Sequence, residues 1–360
     1  MTKKIIFTTG GTGGHILPAI NLMKHFQEKG YEVIIVTDIR GCSFLTNHTK
    51  FKSYILKTDT PTNKNLLKKI YSFFVIFYSI IKSSFILRKE KPNMIFGFGG
   101  YVSFPICFAS KIFNLPLIIY EYNIVPGKTN NFLSKFSKKI FTSQDIKNNF
   151  PKKFRNKISI VGSILNKNII NYSNNIEKKD KNIFSILVLG GSQGAEIFGK
   201  IIPKAIKMLE VEGYKIEVNQ QCIKSQKKEL IDFYNNNNIK NNIFEFEDNI
   251  LKLISSTNLA ISRCGASTTS ELVCTATPFI AVPLPNSIDN HQYLNAKYYE
   301  NKGCCLLLEQ KYFDTQNLFK LMIEIIKNET KLQNMRKNMK KIFIGDVYNN
   351  IEKEIKDFIY

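Results

Sequence analysis

Short apolar runs recur along the chain, and between them lie longer stretches with apolar positions three and four residues apart. The first half reads as strands at 4–8, 32–37, 94–97, 116–120 and 139–142, with helical stretches at about 16–29, 64–89, 102–113 and 127–137. Alternation of this kind predicts a mostly parallel sheet covered on both faces. Between 143 and 180 the pattern breaks, and Asn, Lys, Ser and Pro accumulate around one short apolar segment at 158–162. That region reads as the junction between domains. Alternation restarts at Ile186-Leu187-Val188-Leu189, with further strands at 215–219, 243–246, 258–262, 278–282 and 304–308 and helices from about 314 to 360. The expected fold is α/β: two doubly wound domains, 1–160 and 161–344, with a C-terminal helix at about 345–360 packing back on the first. Two such domains facing each other would place a central cleft at the carboxyl ends of their strands, where these folds bind ligands.

Glycine-rich turns follow several of these strands. The first is Gly10-Gly11-Thr12-Gly13-Gly14-His15, between an apolar run and an amphipathic helix. Free N–H groups at that helix start favour a negative or hydrogen-bond-accepting group, and His15 is the side chain there best able to move a proton near neutral pH. Gly97-Phe98-Gly99-Gly100-Tyr101-Val102-Ser103 and Gly190-Gly191-Ser192-Gln193-Gly194-Ala195 repeat the device. Neither is a nucleotide P-loop, because no Gly-Lys-Ser/Thr follows, and the opening loop lacks the dinucleotide G-x-G-x-x-G spacing. In the second half, Ser262-Arg263-Cys264-Gly265-Ala266-Ser267-Thr268-Thr269-Ser270-Glu271 follows a strand and offers small residues and hydroxyls at a helix start. Glu271, about one turn in, suits the paired hydroxyls of a ribose or simply offsets the helix dipole. Asp289-Asn290-His291-Gln292-Tyr293-Leu294-Asn295 is rich in the amides and hydroxyls that sugar recognition needs.

Composition adds a charge to explain. The 360 residues carry a formal net charge of +22, which implies an anionic partner such as nucleic acid, acidic lipid or a phosphate-bearing substrate. A general excess of Lys, Asn and Ile accounts for part of it. The basic residues are scattered and form no nucleic-acid recognition motif, so no nucleic acid is expected. The seven cysteines show no CxxC spacing and read as reduced thiols, with no disulfide framework and no metal site. The chain runs straight from Met1 into a strand, so a signal peptide is not expected. Leu66 to Lys91 stands apart: Ile70 to Ile81 is uncharged and rich in Phe and Tyr, between Lys68-Lys69 and Lys82, Arg88, Lys89 and Lys91. Twelve uncharged residues fall short of a bilayer span. The segment is either a core helix or a monotopic contact with an anionic membrane.

Taken in order, the motifs Gly-Gly-Thr-Gly-Gly-His, Gly-x-Gly-Gly-Tyr-Val-Ser, Glu-x-Asn (Glu121, Asn123), Gly-Gly-Ser-Gln-Gly-Ala, Arg-x-Gly-Ala-x-Thr-x-x-Glu and Asp-x-x-Gln-x-x-Asn resemble the MurG family. These are the UDP-N-acetylglucosamine–N-acetylmuramyl-(pentapeptide) pyrophosphoryl-undecaprenol N-acetylglucosamine transferases of peptidoglycan synthesis. The resemblance runs from residue 10 to about 295. It implies a GT-B fold of two Rossmann-like domains, a metal-independent inverting transferase without cofactor, and a peripheral site on the cytoplasmic face of the plasma membrane. The implied partners are UDP-N-acetylglucosamine, undecaprenyl-pyrophosphoryl-MurNAc-pentapeptide and an anionic membrane surface. Gly10, Gly11, Gly99, Gly100 and Tyr101 would take the acceptor. Thr12, Gly13, Gly14 and Asn123 would touch the donor sugar or diphosphate, Ser192 phosphate, and the backbone at Glu247 uracil. Ala266, Ser267, Thr268, Thr269 and Ser270 would hold the diphosphate, Glu271 ribose, and Gln292 and Asn295 the N-acetylglucosamine. His15 is the first choice of general base and Glu121 the second.

The chain departs from the pattern at four places, one of them Glu247, which replaces a usually apolar residue. Cys264 replaces Ser, Tyr122 replaces Gln in Glu-Gln-Asn, and Asn166 stands where an Arg follows Val-Gly-Asn-Pro-Val, with Lys167 adjacent. Two other readings stay open: a GT-B transferase acting on another membrane glycolipid, and a basic nucleic-acid-binding protein.

Overall fold

The computed structural model describes residues 3–11, 13–45, 51–60, 65–172, 183–191, 194–247 and 250–359. The chain divides into two compact units, residues 1–166 with 344–360, and residues 167–343. The first runs β1 (Lys4–Thr8), α1 (Gly13–Glu28), β2 (Glu32–Thr37), α2 (Ile39–Leu45), β3 (Lys52–Ile55), α3 (Leu66–Glu90), β4 (Met94–Gly97), α4 (Ser103–Ile112), β5 (Leu117–Glu121), α5 (Lys128–Leu133), β6 (Lys139–Thr142) and β7 (Ile158–Ile160). All seven strands pair in parallel in the order β3-β2-β1-β4-β5-β6-β7. The central strands are apolar on both faces: Ile5, Ile6, Phe7, Ile34, Ile35, Ile95, Phe96, Ile118 and Ile119 are all fully buried. That is why they read as unbroken apolar runs.

The second unit runs α6 (Lys167–Tyr172), β8 (Phe184–Leu189), α7 (Glu196–Val211), β9 (Ile216–Gln221), α8 (Lys227–Asn236), β10 (Lys240–Phe244), α9 (Ile250–Ser256), β11 (Leu259–Ser262), α10 (Ala266–Cys274), β12 (Phe279–Ala281), α11 (His291–Asn301), β13 (Cys305–Leu307), α12 (Thr315–Lys327) and α13 (Glu329–Ile342). Its six strands are again parallel, in the order β10-β9-β8-β11-β12-β13. The last helix, α14 (Val347–Ile359), belongs to the first unit.

The first unit extends past the sequence break at 160, through Val161, Ile164 and Leu165, which are buried. Here α14 supplies the partners: Tyr348 Oη donates to the Leu165 carbonyl (2.5 Å) and Asn350 Nδ2 to that of Val161 (3.2 Å). On its other side, Glu352 pairs with His25 of α1 (2.6 Å), and Glu354 accepts from Lys139 (2.8 Å) and Ser159 (2.9 Å). Two elements add to the sequence reading. The apolar segment within the junction supplies edge strand β7, and β3 is a short, largely exposed edge strand with only Ile55 as an apolar residue among Lys52-Ser53-Tyr54-Ile55.

Helix α3 is amphipathic in an inverted sense. It buries Ser72, Ser79 and Ser83 and exposes Leu66, Leu67, Ile70, Tyr71, Phe73, Phe74, Phe77, Tyr78, Ile81 and Phe85. The serines strap the preceding segment to the helix: Ser72 Oγ donates to Asp59 (2.8 Å) and Ser79 Oγ to the Lys57 carbonyl (2.5 Å). At its carboxyl end Glu90, buried, accepts from Lys4 (3.0 Å), Lys52 (2.9 Å) and the Tyr54 hydroxyl. Burial raises the Glu90 carboxyl, but these donors outweigh it and hold its pKa at about 2.

Candidate functional site

In each sheet the strand order reverses at one place, and the loops leaving the strands there flank a crevice. In the first unit that place is β1, between β2 and β4. The loops after β1 and β4 touch. A Cβ on Gly10 would sit 2.5 Å from Val102 Cγ2, so only glycine lets the loops approach. Gly100, in the left-handed region at φ 78°, packs against the Gly10 backbone. A carboxylate at the end of β2 holds this arrangement from the side. Asp38 accepts from the N–H groups of Gly11 (3.2 Å) and Gly41 (2.8 Å) and from the Arg40 guanidinium (3.0 and 2.8 Å). Burial pushes the Asp38 pKa up, but these donors win and it is lowered.

His15 lies in the first turn of α1, with Gly13 and Gly14 beside it at the helix start. Thr12 lies outside the described residues. His15 Nδ1 is 3.0 Å from the Phe98 carbonyl oxygen. A carbonyl only accepts, so Nδ1 carries the hydrogen, and in the neutral ring Nε2 has the lone pair. The ring meets Tyr122 edge to face, with centroids 5.1 Å apart and planes at 80°. One histidine, one main-chain carbonyl and one aromatic ring from three different strand ends thus converge, and the result is a ring held with its basic nitrogen defined.

Glu121 has the opposite character. It is 2% exposed, and its two oxygens accept from the N–H groups of Asn123 (3.0 Å) and Gly127 (3.0 Å) and from Asn130 Nδ2 (2.9 Å). Burial raises its pKa, and those donors only partly offset the rise. A carboxylate so engaged shapes the 121–130 loop, and Asn123 is tied to it both through its backbone and, more loosely, through its amide at 3.4 Å. Tyr101 is exposed on the β4 loop, and Gly99 packs against the Asn130 amide.

In the second unit the reversal falls at β8, between β9 and β11. The loop after β8 starts at Gly190, whose N–H donates to Gln221 (3.1 Å), and Gly191 packs on Arg263 of the β11 loop. Ser192 lies outside the described residues. Arg263 is buried and joins three segments. Its guanidinium donates to the carbonyls of Val282 (3.1 Å) and Pro283 (3.2 Å) and to Gln310 (2.7 Å), and it stacks over Phe198 of α7.

Helix α10 begins without a side-chain cap. The first helical hydrogen bond is from Thr269 to Gly265 (3.0 Å), so the N–H groups before it have no acceptor within the helix and favour an anion. Ser267 and Thr268 are half-buried, whereas Ala266, Thr269 and Ser270 are buried. The Thr269 hydroxyl turns back onto the carbonyls of Gly265 and Ala266 (both 3.1 Å). Glu271 is half-buried, and burial pushes its pKa up to about 7. Among the described residues no donor pairs with its carboxylate.

Gln292 and Asn295, on α11, clamp one residue. Gln292 Oε1 accepts from the N–H groups of Cys264 (3.1 Å) and Leu284 (3.0 Å), and Asn295 Nδ2 donates to the Cys264 carbonyl (3.1 Å). Asn295 is fully buried, so its visible role is to join α11 to the start of α10. The segment entering α11 is strained: Asn286, Asp289 and Asn290 all have positive φ, between 51° and 57°. Glu247 sits just beyond β10, next to Phe246, which is 76% exposed.

Three groups important to these sites carry no motif. Asp38 and Asn130 act as acceptor and donor at loop ends, and the Phe98 contribution is a main-chain carbonyl that no residue type announces. Arg263 is visible in the sequence only as the first letter of a pattern whose hydroxyls suggest phosphate.

Residues 5–142 match the glycosyltransferase family 28 N-terminal domain, and residues 185–351 match the glycosyltransferase family 28 C-terminal domain. Over 355 residues the chain is 36% identical to the UDP-N-acetylglucosamine--N-acetylmuramyl-(pentapeptide) pyrophosphoryl-undecaprenol N-acetylglucosamine transferase of Pelagibacter ubique (strain HTCC1062), covering 99% of this chain and 98% of that protein. A protein of the same name from Rickettsia bellii (strain RML369-C) is 34% identical over 343 residues, 94% and 95% of the two chains. The crystal structure of Acinetobacter baumannii MurG has the same fold, with a TM-score of 0.81 at 23% identity over 98% of this chain and 99% of that one.

Proposed function

The chain belongs to glycosyltransferase family 28, and from that premise we propose that it transfers N-acetylglucosamine from UDP-N-acetylglucosamine to undecaprenyl-pyrophosphoryl-MurNAc-pentapeptide in peptidoglycan synthesis. The observation that carries the reading is the similarity over nearly the whole chain to transferases that bear this name. The two switch-point sites supply chemistry of the kind the reaction needs.

The acceptor's 4-hydroxyl oxygen attacks the anomeric carbon and forms the new glycosidic bond. The bond from that carbon to the diphosphate oxygen breaks, and its electron pair leaves with UDP. The hydroxyl proton passes to His15 Nε2, the ring nitrogen left basic by the Nδ1 bond to Phe98. The uncapped start of α10 suits the diphosphate, with its N–H groups already oriented before charge develops. Glu271 accepts from the ribose hydroxyls, and the backbone at Glu247 reads uracil. Gln292 Oε1 is engaged by two backbone N–H groups, so its amide nitrogen is the group that meets the sugar. Gly10, Gly11, Gly99, Gly100 and Tyr101 take the acceptor. Glu121 serves by positioning Asn123 and the loop that carries Tyr122.

The acceptor is lipid-linked, and helix α3 fits a peripheral role at the cytoplasmic face of the plasma membrane. It presents Phe73, Phe74 and Phe77 outward, beside Lys68, Lys69 and Lys82. By length and composition it could cross a bilayer, but its serine face is bonded to the unit's own loop.

The test is transfer of labelled N-acetylglucosamine from its UDP donor to the lipid-linked muramyl-pentapeptide. His15→Ala is expected to lower kcat by about 10²–10⁴-fold while UDP-N-acetylglucosamine still binds. Unchanged turnover in that variant would overturn the base assignment, and no transfer by the unaltered protein would overturn the function.

A further inference from the structure

We infer that Arg40 binds the acceptor's diphosphate at the loop of Gly10 and Gly11; this rests on the reading of that loop as the acceptor site. The loop's backbone alone is poorly suited to an anion. The Gly11 N–H, which a glycine turn would otherwise offer to a phosphate oxygen, is given to Asp38 Oδ1 (3.2 Å). Its partner is a carboxylate, so a diphosphate brought to this loop would meet negative charge. A cation beside the loop would offset that repulsion.

Arg40 supplies the cation, and the local sequence explains its place. Asp38 follows β2 and opens α2, where its Oδ1 also accepts from the Gly41 N–H (2.8 Å), three residues on. Arg40 therefore falls in the first turn of α2. Its side chain folds back, and Nε and Nη2 both donate to the other carboxylate oxygen, Oδ2 (3.0 and 2.8 Å). A Cβ on Gly11 would lie 3.7 Å from Arg40 Nη2, so the guanidinium stands against the loop's own backbone. Gly11 there has φ 85°, a conformation that favours glycine. The two hydrogens on Nη1 and the second on Nη2 have no acceptor among the described residues. One edge of the planar group is thus held by Asp38, and the opposite edge is left for an oxyanion, the geometry in which Arg takes phosphate. The Arg40 side chain is 73% exposed. An ion pair in that setting adds little to stability, so the pair matters for where it holds the guanidinium. Asp38 orders the loop through one oxygen and aims the cation through the other.

The experiment measures transfer by the full chain in neutral detergent micelles, without anionic lipid, so that a membrane headgroup cannot stand in for the diphosphate. The KM for the lipid-linked muramyl-pentapeptide, the KM for UDP-N-acetylglucosamine and inhibition by inorganic pyrophosphate at saturating donor are compared for the unaltered protein, Arg40→Gln and Arg40→Lys. Arg40→Gln is expected to raise the acceptor KM about tenfold and to weaken pyrophosphate competition with the acceptor by a similar factor. The donor KM should change by less than about twofold, and the melting temperature little. Arg40→Lys keeps the charge without the fork and should fall between the two. A loop that Arg40 merely braced would show no parallel loss of pyrophosphate competition. An Arg40→Gln variant with unchanged acceptor KM, with unchanged pyrophosphate competition, or with an equal rise in both KM values overturns the inference and leaves the function standing. No transfer by the unaltered protein overturns the function instead. If Arg40→Gln does not fold, Arg40→Met, which keeps the apolar stem and removes the charge, is read the same way.

Discussion

If Glu271 accepts from the donor's ribose, as proposed above, it links the stability of the second unit to donor binding. Its carboxyl is half-buried on α10 with no donor beside it among the described residues, and burial lifts its pKa from an ordinary 4.5 to about 7. Below 4.5 both folded and unfolded states are protonated, and the group costs nothing. As pH rises from 4.5 to 7 the unfolded chain ionises first, so stability falls, and above 7 the penalty is complete. At 1.36 kcal/mol per pH unit the interval corresponds to about 3 kcal/mol, a ceiling that residual solvent contact brings down to about 1–2 kcal/mol. Glu271→Gln keeps the shape and removes the charge. In urea unfolding followed from pH 4 to pH 9, it should match the unaltered protein near pH 4 and be more stable above pH 7. Ribose hydroxyls donate only to the ionised form in full, so UDP-N-acetylglucosamine should bind about tenfold tighter at pH 8 than at pH 6, where only about a tenth of the carboxyl is ionised. The variant should bind weakly at both. A stability difference that does not change with pH, or donor affinity equal at pH 6 and pH 8, would refute the reasoning.

Three further outcomes follow from particular contacts. Gly10→Ala drives a methyl group to 2.5 Å from Val102 Cγ2 and 2.7 Å from Val102 Cβ; it should destabilise the first unit by about 1–3 kcal/mol and cut transfer, and Val102→Ala in the same chain should restore little because its Cβ still meets the methyl, as thermal unfolding and the transfer assay would show. Arg263→Lys gives up the fork shared among Val282, Pro283 and Gln310; thermal unfolding should register a loss of about 2–3 kcal/mol, and calorimetric titration a weaker donor affinity. Replacing Phe73, Phe74 and Phe77 with Ser should abolish flotation with anionic vesicles and leave the melting temperature nearly unchanged, since all three are exposed; flotation that persists would remove the membrane role of α3.

The parallel sheets are legible in the sequence because strands buried on both faces leave unbroken apolar runs. The glycine loops are legible because close approach excludes every other residue. Edge strand β3 is not, since only one of its two faces meets protein and its sequence, Lys52-Ser53-Tyr54-Ile55, has no run to detect. Helix α3 shows why composition alone cannot orient an element. Its apolar residues are too many for one face, and the choice of face depends on serines whose partners, Asp59 and the Lys57 carbonyl, lie in the preceding segment. The same holds in the sites. A motif names Glu121, but nothing in it says that three close donors engage the carboxylate, and a motif names Asn295 without showing that it is buried against Cys264.

The two switch points use one backbone device for opposite electrostatic tasks, and the difference lies in what stands beside each glycine loop. In the first unit the neighbours are acceptors: Asp38 takes the Gly11 N–H, Glu121 takes those of Asn123 and Gly127, and the Phe98 carbonyl takes His15 Nδ1. The Phe98 carbonyl places the hydrogen of the neutral His15 ring on Nδ1, which suits the proton acceptor proposed above. In the second unit the start of α10 stands beside the loop, its first N–H groups without an acceptor inside the helix, which suits an anion, and the buried Arg263 guanidinium braces it through Val282, Pro283 and Gln310. Substitutions beside the first loop, at His15 or Arg40, should therefore act on kcat or on acceptor affinity and spare donor affinity. Those beside the second, at Arg263 or Glu271, should act on donor affinity first. Isothermal titration of UDP-N-acetylglucosamine alongside turnover, on the same four variants, separates the two classes. A His15 variant that lost donor binding as fully as an Arg263 variant would show that the tasks are not divided in this way.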